Sequence, residues 1–245
     1  MKTLLAVVLS SIFAAVPSYA AQSGVSIRLA EVSGAVSARA SSSAAWTTVK
    51  NATMLAPGGE VKTADGASVV LAFSDGNKVK LASATTFGVE GATTLKTSLR
   101  LFAGRLSAWV KRANKADFTV RHAAGVAAVR GTVFAMEGSA AGLKIELFEG
   151  ALDIVDSFGR PSSLSPGQNA QLTPQAGLQG ISSLPPDAKA PEEPKVEAPP
   201  APTTAAVALP AQDAAPQDVP SDAPAALPPP NATQEGASAV SPSAP

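Results

Sequence analysis

Residues 99–110 read Leu-Arg-Leu-Phe-Ala-Gly-Arg-Leu-Ser-Ala-Trp-Val, and this stretch decides the fold class. Its apolar residues share one parity before Gly104 and the other parity after it, namely Leu99 and Leu101, then Leu106, Ala108 and Val110. Because side chains along a β-strand alternate between two faces, a change of parity at a glycine indicates a bulge or a bend. The stretch therefore predicts a strand that bends at Gly104.

The same switch of parity recurs around Gly150 and exposes an internal repeat. Residues 99–106 align with residues 145–152, and residues 87–91 align with residues 134–138. A fainter copy lies at residues 27–38, and Leu55-Ala56-Pro57-Gly58 recurs as Leu164-Ser165-Pro166-Gly167. Such repeats are typical of β-units that cover one another's apolar faces, as in a solenoid or a two-layer sandwich. We predict one repeat-containing all-β domain with either of these architectures.

Further strands are indicated by the alternation in residues 67–81. The odd positions of residues 67–73 are apolar, Asp75-Gly76 is a turn signal, and Val79 and Leu81 then alternate with lysines. This pattern predicts a β-hairpin with one buried face.

The chain changes composition near residue 185. The last 61 residues hold 16 of the 21 prolines and carry 2 basic and 8 acidic residues, whereas residues 21–184 carry 16 basic and 11 acidic residues. Prolines remove backbone donors and favour extended polyproline II, and few large apolar residues interrupt them. We expect residues 21–184 to form the β domain and residues 185–245 to be a disordered, acidic, Pro/Ala-rich tail, either a passive solubilising tail or a tether that reaches a partner.

The N-terminus has the three parts of a secretory signal. Lys2 is basic, residues 4–16 are apolar, and Ser18-Tyr19-Ala20 is a small-x-small cleavage site. The alternative is a signal anchor, but the apolar stretch is shorter than the ~20 residues that span a bilayer. We predict cleavage after Ala20, a mature chain with no transmembrane segment, and a periplasmic or secreted protein.

The composition excludes several kinds of site. The chain has no cysteine and one histidine, His122, which leaves no thiolate chemistry and no histidine pair for a metal. No phosphate loop, nucleophile elbow or zinc-helix motif is present. We therefore expect no catalytic residues, no cofactor and no metal.

Two other features could indicate binding, although each also has a purely structural interpretation. Lysine and arginine together number 19, as do aspartate and glutamate together, so the chain has no excess positive charge that would favour a nucleic-acid partner. A local basic run has mixed parity and fits a solvated face better than a polyanion site; it comprises Arg100, Arg105, Lys111, Arg112, Lys115 and Arg121. Trp46 and Trp109 are either core residues, which we expect, or platforms for a sugar ring.

A family resemblance follows from the order of the motifs. The ordered set reads Val32-x-Gly34-x-Val36, Trp46, Leu55-x-x-Gly58, Val61-x-Thr63, Ala67-x-x-x-Leu71-x-Phe73-x-Asp75-Gly76, Leu101-x-x-Gly104-x-Leu106, Phe118-x-Val120, Gly125-Val126-Ala127-Ala128-Val129-Arg130-Gly131-Thr132-x-Phe134, Glu149-Gly150-x-Leu152-x-Ile154 and Pro166-Gly167-Gln168. Over roughly residues 25–172 it resembles the FecR-like domain, named for the ferric-citrate regulator of Gram-negative bacteria. Its sharpest match is the hallmark segment that runs into Arg130-Gly131-Thr132-x-Phe134.

The resemblance implies an all-β domain outside the cytoplasm that makes protein contacts and has no known catalytic centre. In the founding type this domain lies between an inner-membrane helix and a module that senses an outer-membrane transporter. This chain has a cleavable signal and a Pro/Ala tail in those places, so direct control of a sigma factor is not expected.

The hallmark residues Arg130, Gly131, Thr132 and Phe134 have a structural and a functional interpretation. Arg130 is expected to pair with a carboxylate such as Glu146 or Glu149 at the sheet rim or to cap carbonyls, with a carboxylate or phosphate ligand as the alternative. Gly131 is expected to supply a positive φ or a close approach, and Thr132 a strand position with a hydroxyl for the turn. We expect the structural interpretation to hold.

These patterns favour a non-enzymatic, exported binding or scaffolding module, or one related to signalling, in a bacterial envelope. The partner is then another envelope protein. The alternative is a secreted protein that binds a glycan, a cell-wall polymer or an outer-membrane polymer, and an enzyme is the least favoured class.

Overall fold

The computed structural model describes residues 24–112 and 117–201, and every regular element there is a β-strand. The predicted all-β class is confirmed. The signal peptide, Lys115 and the tail beyond residue 201 lie outside the described residues. The strands are β1 (Ile27–Ser33), β2 (Val36–Arg39), β3 (Thr47–Thr48), β4 (Thr53–Leu55), β5 (Glu60–Thr63), β6 (Ser68–Phe73), β7 (Lys78–Leu81), β8 (Thr86–Ala92), β9 (Lys96–Trp109), β10 (Asp117–His122), β11 (Gly125–Ser139), β12 (Gly142–Asp156), β13 (Pro161–Leu164), β14 (Gln168–Thr173) and β15 (Gly177–Ser183).

These strands form one hydrogen-bonded mixed sheet in which the three longest strands change neighbours midway. The first part of β9 pairs with β8 and, in parallel, with β10, whereas its second part pairs with β7 and β11. Strands β11 and β12 stay paired with each other throughout, and each changes its other neighbour, β11 from β10 to β9 and β12 from β14 to β13. The sheet therefore has a β8 half, with strand order β3-β2-β5-β8-β9-β10-β11-β12-β13, and a β6 half, with order β4-β1-β6-β7-β9-β11-β12-β14-β15.

The two halves pack face to face around one hydrophobic core. Phe73 in the β6 half meets Phe118 in the β8 half edge-on, with ring centroids 6.3 Å apart. Gly138 of the β6 half lies against His122 and Leu101 of the β8 half. Buried apolar residues of both halves belong to a single cluster. Of the two predicted architectures, this packing matches the two-layer sandwich.

Glycines mark the points where the long strands pass from one half to the other. Gly104, Gly131 and Gly150 have φ values of 96°, 63° and 86°, which favour glycine. In β9 the buried positions are odd-numbered up to Leu101 and even-numbered from Leu106, where the alternation resumes. The predicted bend at Gly104 is confirmed, and the repeat appears as the equivalent bend at Gly150.

The shorter sequence signals also appear in the structure. Strands β6 and β7 pair as the predicted antiparallel hairpin, with Gly76 in the turn at φ 85°. The recurring Pro-Gly turns follow β4 and β13, and Gly58 and Gly167 both have positive φ values there. In the described residues, no helix is long and apolar enough to cross a membrane.

The last strand, β15, ends at Ser183, one residue before the predicted domain boundary. Residues 185–201 form no strand or helix. Within them, residues 191–199, here called the strap, lie on the outer face of the β6 half, and Pro194 and Pro199 are buried there. The composition of the tail did not predict this contact.

Candidate interaction surface

Three of the four hallmark residues are positioned inside the fold. Gly131 has a positive φ, and a Cβ on it would meet Arg112 Cα at 3.0 Å, so both expected reasons for this glycine are present. Phe134 is fully buried in the core. Thr132 is also buried, but its Oγ1 has no hydrogen-bond partner in the described residues, so the expected bond to the turn is wrong.

Arg130 differs from the other hallmark residues because its side chain is 80% exposed. Its Nη2 donates to Asp117 Oδ1 at 2.9 Å. The expected pairing with a carboxylate is present, but the partner is Asp117 instead of Glu146 or Glu149, and Glu146 is held by Arg105 and Lys144. An exposed ion pair contributes about 0–1 kcal/mol. Arg130 is therefore available at the surface, and whether it contacts a ligand stays a prediction.

An arginine stacks on Trp46 at the edge of the β8 half. The Arg39 guanidinium lies 4.5 Å from the Trp46 ring centroid, and its Nε and Nη2 donate to Glu60 Oε2 at 2.9 and 2.6 Å. Glu60 is buried and fixes the guanidinium against the indole. Trp46 itself is 39% exposed, so the expected core position is wrong. The reason is that its loop precedes the two-residue edge strand β3 instead of entering the sandwich.

Phe102 extends this aromatic surface across the same half. Residues Arg39, Glu60, Gly88 and Arg100 lie opposite one another on β2, β5, β8 and β9. Phe102 is 43% exposed and lies above Gly88, where a Cβ would be 3.2 Å from its ring. The absence of a side chain at Gly88 leaves a groove of about 350 Å³, lined by Ser42, Gly59, Gly88, Val89, Arg100 and Phe102.

Ion pairs hold the second arginine of this groove. Arg100 Nε donates to Glu90 Oε1 at 2.6 Å, and its guanidinium lies 5.7 Å from the Phe102 ring centroid. Arg121 also pairs with Glu90. Three residues of the basic run read from the sequence, Arg100, Arg105 and Arg121, therefore pair with carboxylates, since Arg105 pairs with Glu137 and Glu146. Arg39 and Trp46 adjoin this groove through Glu60, which lines it. We call the combined surface of Arg39, Trp46, Gly88, Arg100 and Phe102 the arginine–aromatic groove.

Trp109 is buried, with 6% of its surface exposed, but it lies outside the core cluster. It points outward from the β6 half, because its neighbours Ala108 and Val110 point inward. Its indole Nε1 donates to the Pro191 carbonyl of the strap at 3.3 Å. The expected burial is confirmed, but the ring lies under the strap on the outer face of the β6 half instead of in the central cluster.

The only histidine has a local structural contact. Its Nδ1 accepts a hydrogen bond from the Ala124 N–H at 3.1 Å, and burial lowers the pKa of His122. Its ring lies against Gly138 in the facing half of the sandwich. In the described residues, no group of three or more His, Asp or Glu side chains is placed to hold a metal ion.

The exposure of Phe102 was not predicted from the sequence, although its parity carried the signal. Phe102 shares the parity of Arg100, so an aromatic side chain occupies a position on the polar face of the strand. Trp109 occupies the outward parity of the second part of β9 in the same way. A search for aromatic residues on the polar side of an amphipathic strand would have found both positions.

The central region of the chain matches a known protein family. Residues 59–153 match the family model described as FecR protein, which confirms the resemblance read from the sequence over that range. The match covers strands β5 to β11 and most of β12, including the hallmark and part of the groove. No curated protein matches the chain.

Two of the similar solved structures are crystal structures, at 1.65 and 2.50 Å resolution, of a protein from Parabacteroides distasonis described as a candidate anti-sigma factor. Each has 16% sequence identity and a TM-score of 0.46, and the alignment covers 51% of this chain. This chain spans 59% of the length of those structures.

Proposed function

We propose that this protein is an exported, non-enzymatic module with a FecR domain that binds another protein of the bacterial envelope, in scaffolding or in signalling, through the arginine–aromatic groove. The observation that carries the proposal is the exposure of Trp46 and Phe102 beside stacked arginines. Aromatic residues and arginine are enriched at the energetic centres of protein interfaces.

The geometry of the groove supports binding rather than acid–base chemistry. Glu60 is paired with Arg39, and Glu90 is shared by Arg100 and Arg121. These pairs hold the guanidinium groups against the aromatic rings, so the surface is preorganised for contact. A preorganised surface loses less conformational entropy when it binds a partner.

Glycan binding is the second candidate function. A sugar platform needs an open aromatic face, and Phe102 is exposed enough to offer one. Arg39 lies over the ring of Trp46, however, which leaves that indole less suited to stacking on a sugar. This difference favours a protein partner.

A photo-crosslinking amino acid at position 102 tests the proposal in the full chain, expressed in its bacterial host. We expect a discrete crosslinked protein partner, because Phe102 lines the groove. The matched control is Phe158, which is 60% exposed and has Arg160 5.3 Å from its ring centroid, but is not part of the groove. With the partner in hand, Phe102→Ala should weaken binding roughly 10-fold or more, and Phe158→Ala should change it less than twofold.

Equal crosslinking at positions 102 and 158 would overturn the proposal. Crosslinking to envelope polymer instead of protein, with co-sedimentation of the chain on purified cell wall that Phe102→Ala abolishes, would support the glycan alternative.

Export is part of the same proposal and rests on the signal sequence described above. We expect the mature protein to begin at Ala21 and to occur in the periplasm or the medium. Mass spectrometry of the protein isolated from cell fractions measures both properties. An intact Met1 terminus in the membrane fraction would contradict export by cleavage.

A further inference from the structure

The strap binds the β6 half through carbonyl groups three residues apart. The Pro191 carbonyl accepts from Trp109 Nε1 at 3.3 Å, and the Pro194 carbonyl accepts from Lys78 Nζ at 2.7 Å. The Glu197 carbonyl accepts from Arg28 Nη2. A period of three is the period of a polyproline II helix, and the strap is proline-rich.

The three donors form one row across the sheet. Trp109, Lys78, Ala72 and Arg28 lie directly opposite one another on β9, β7, β6 and β1. Three residues of polyproline II rise about 9 Å, and the two strand spacings from β7 to β1 measure about 9.6 Å. One turn of the strap therefore matches the step from Lys78 to Arg28, whereas Trp109 and Lys78 are on adjacent strands, one spacing of about 4.8 Å apart.

Charge and burial add to this match of spacing. Lys78 Nζ also pairs with Glu193 Oε1 at 2.8 Å, and the strap carries Glu192, Glu193 and Glu197. Pro194 is buried beside these contacts. A basic, aromatic row that receives an acidic, proline-rich segment has the properties of a peptide-recognition site of the polyproline II type.

We propose that Trp109, Lys78 and Arg28 form a recognition site for an extended, acidic, proline-rich peptide, and that the strap is its resident ligand, held in cis. Residues 184–190 connect β15 to the strap, and a connection this short gives the strap an effective concentration of about 1 mM at the site. A peptide in trans binds weakly while the strap is docked and gains access when the strap leaves. This site is separate from the arginine–aromatic groove, on the other half of the sandwich.

A competition experiment on the full chain tests the proposal. The probe is a fluorescein-labelled peptide of residues 189–201, followed by anisotropy. In the strap variant, Pro194→Gly, Pro199→Gly and Glu193→Ala remove the buried prolines and the ion pair. We expect the probe to bind the strap variant roughly 10-fold more tightly than the unaltered chain, because the competing strap no longer holds the site.

Matched substitutions on β7 identify the site. In the strap variant, Lys78→Ala should weaken probe binding by roughly 10-fold, and Lys80→Ala should leave it within twofold. Lys80 is the right control because it is exposed, lies two residues along the same strand and has the same parity. Unchanged melting curves establish that the variants are folded.

A second measurement needs no strap variant. In the full chain with Trp46→Phe, Trp109 is the only tryptophan. Lys78→Ala should then shift its emission to longer wavelength, and Lys80→Ala should not. Equal probe binding to the unaltered chain and the strap variant, no binding to either, or equal effects of the two lysine substitutions would overturn the proposal. None of these results bears on crosslinking at position 102.

Discussion

Gly150→Ala is expected to destabilise the protein by about 2–5 kcal/mol, because two penalties coincide at one bend. The residue has φ 86°, where an L side chain is strained by about 1–2 kcal/mol. A Cβ there would also press on the Gly131 carbonyl and lie 2.7 Å from Thr132 Cγ2. Crowding of a packed interior costs a further 1–3 kcal/mol or so. Thermal unfolding should show a melting temperature lower by roughly 4–20 °C.

Gly167→Ala is the matched control for this effect. Gly167 has nearly the same φ, 80°, but no atom lies within 4 Å of the position of an added Cβ. It should lose only the strain of about 1–2 kcal/mol. Equal losses in the two variants would mean that the close approach of β11 and β12 at the bend does not exist in solution.

Thr85→Val is expected to destabilise the protein by about 2 kcal/mol, although threonine and valine have the same shape. Thr85 is fully buried, and its Oγ1 accepts from the Arg105 N–H at 3.0 Å and lies 3.1 Å from the Arg105 carbonyl. Valine would leave the Arg105 backbone, next to the Gly104 bend, without these partners. A buried polar group that loses its partner costs about 1–3 kcal/mol.

Thr132→Val provides the opposite test within the hallmark segment. Thr132 is as buried as Thr85, but its Oγ1 lacks a partner in the described residues, so removing the hydroxyl takes away a desolvated polar group. Chemical unfolding of both variants should show Thr132→Val within about 0.5 kcal/mol of the unaltered protein or more stable. A loss equal to that of Thr85→Val would show that the Thr132 hydroxyl is bonded in solution.

The fold could be predicted from the sequence where the two-residue period is explicit. The shift of parity at Gly104 and its recurrence at Gly150 identified the bends, because a strand cannot change its buried face without an irregular residue. The choice between solenoid and sandwich was not accessible. It depends on which distant strands meet, as Phe73 and Phe118 do, and local periodicity carries no information on such pairs.

The surface features were less predictable, for a physical reason that differs from one residue to another. The role of Gly131 could be predicted because glycine is unfavourable in a strand unless the backbone requires it. The partner of Arg130 could not, because it depends on the pairing of β10 with β11, which brings Asp117 to the arginine. Trp109 was assigned to the core because it is large and apolar, but a segment 82 residues away covers it. Composition described the tail as unable to form a core, and it had no means of indicating that part of the tail packs on the outer face of the β6 half.

The direction of the strap across the sheet has a mechanical consequence. Its contacts follow one another along the chain, from Trp109 to Lys78 to Arg28, and the chain continues beyond the Arg28 end. Tension on the tail therefore loads the Arg28 contact first and reaches the next contact only after the previous one has broken. Contacts broken in sequence resist much less force than contacts sheared together. A pull from the C-terminus would accordingly peel the strap from the sandwich while the strands of the sheet, which are not in the line of tension, remain paired.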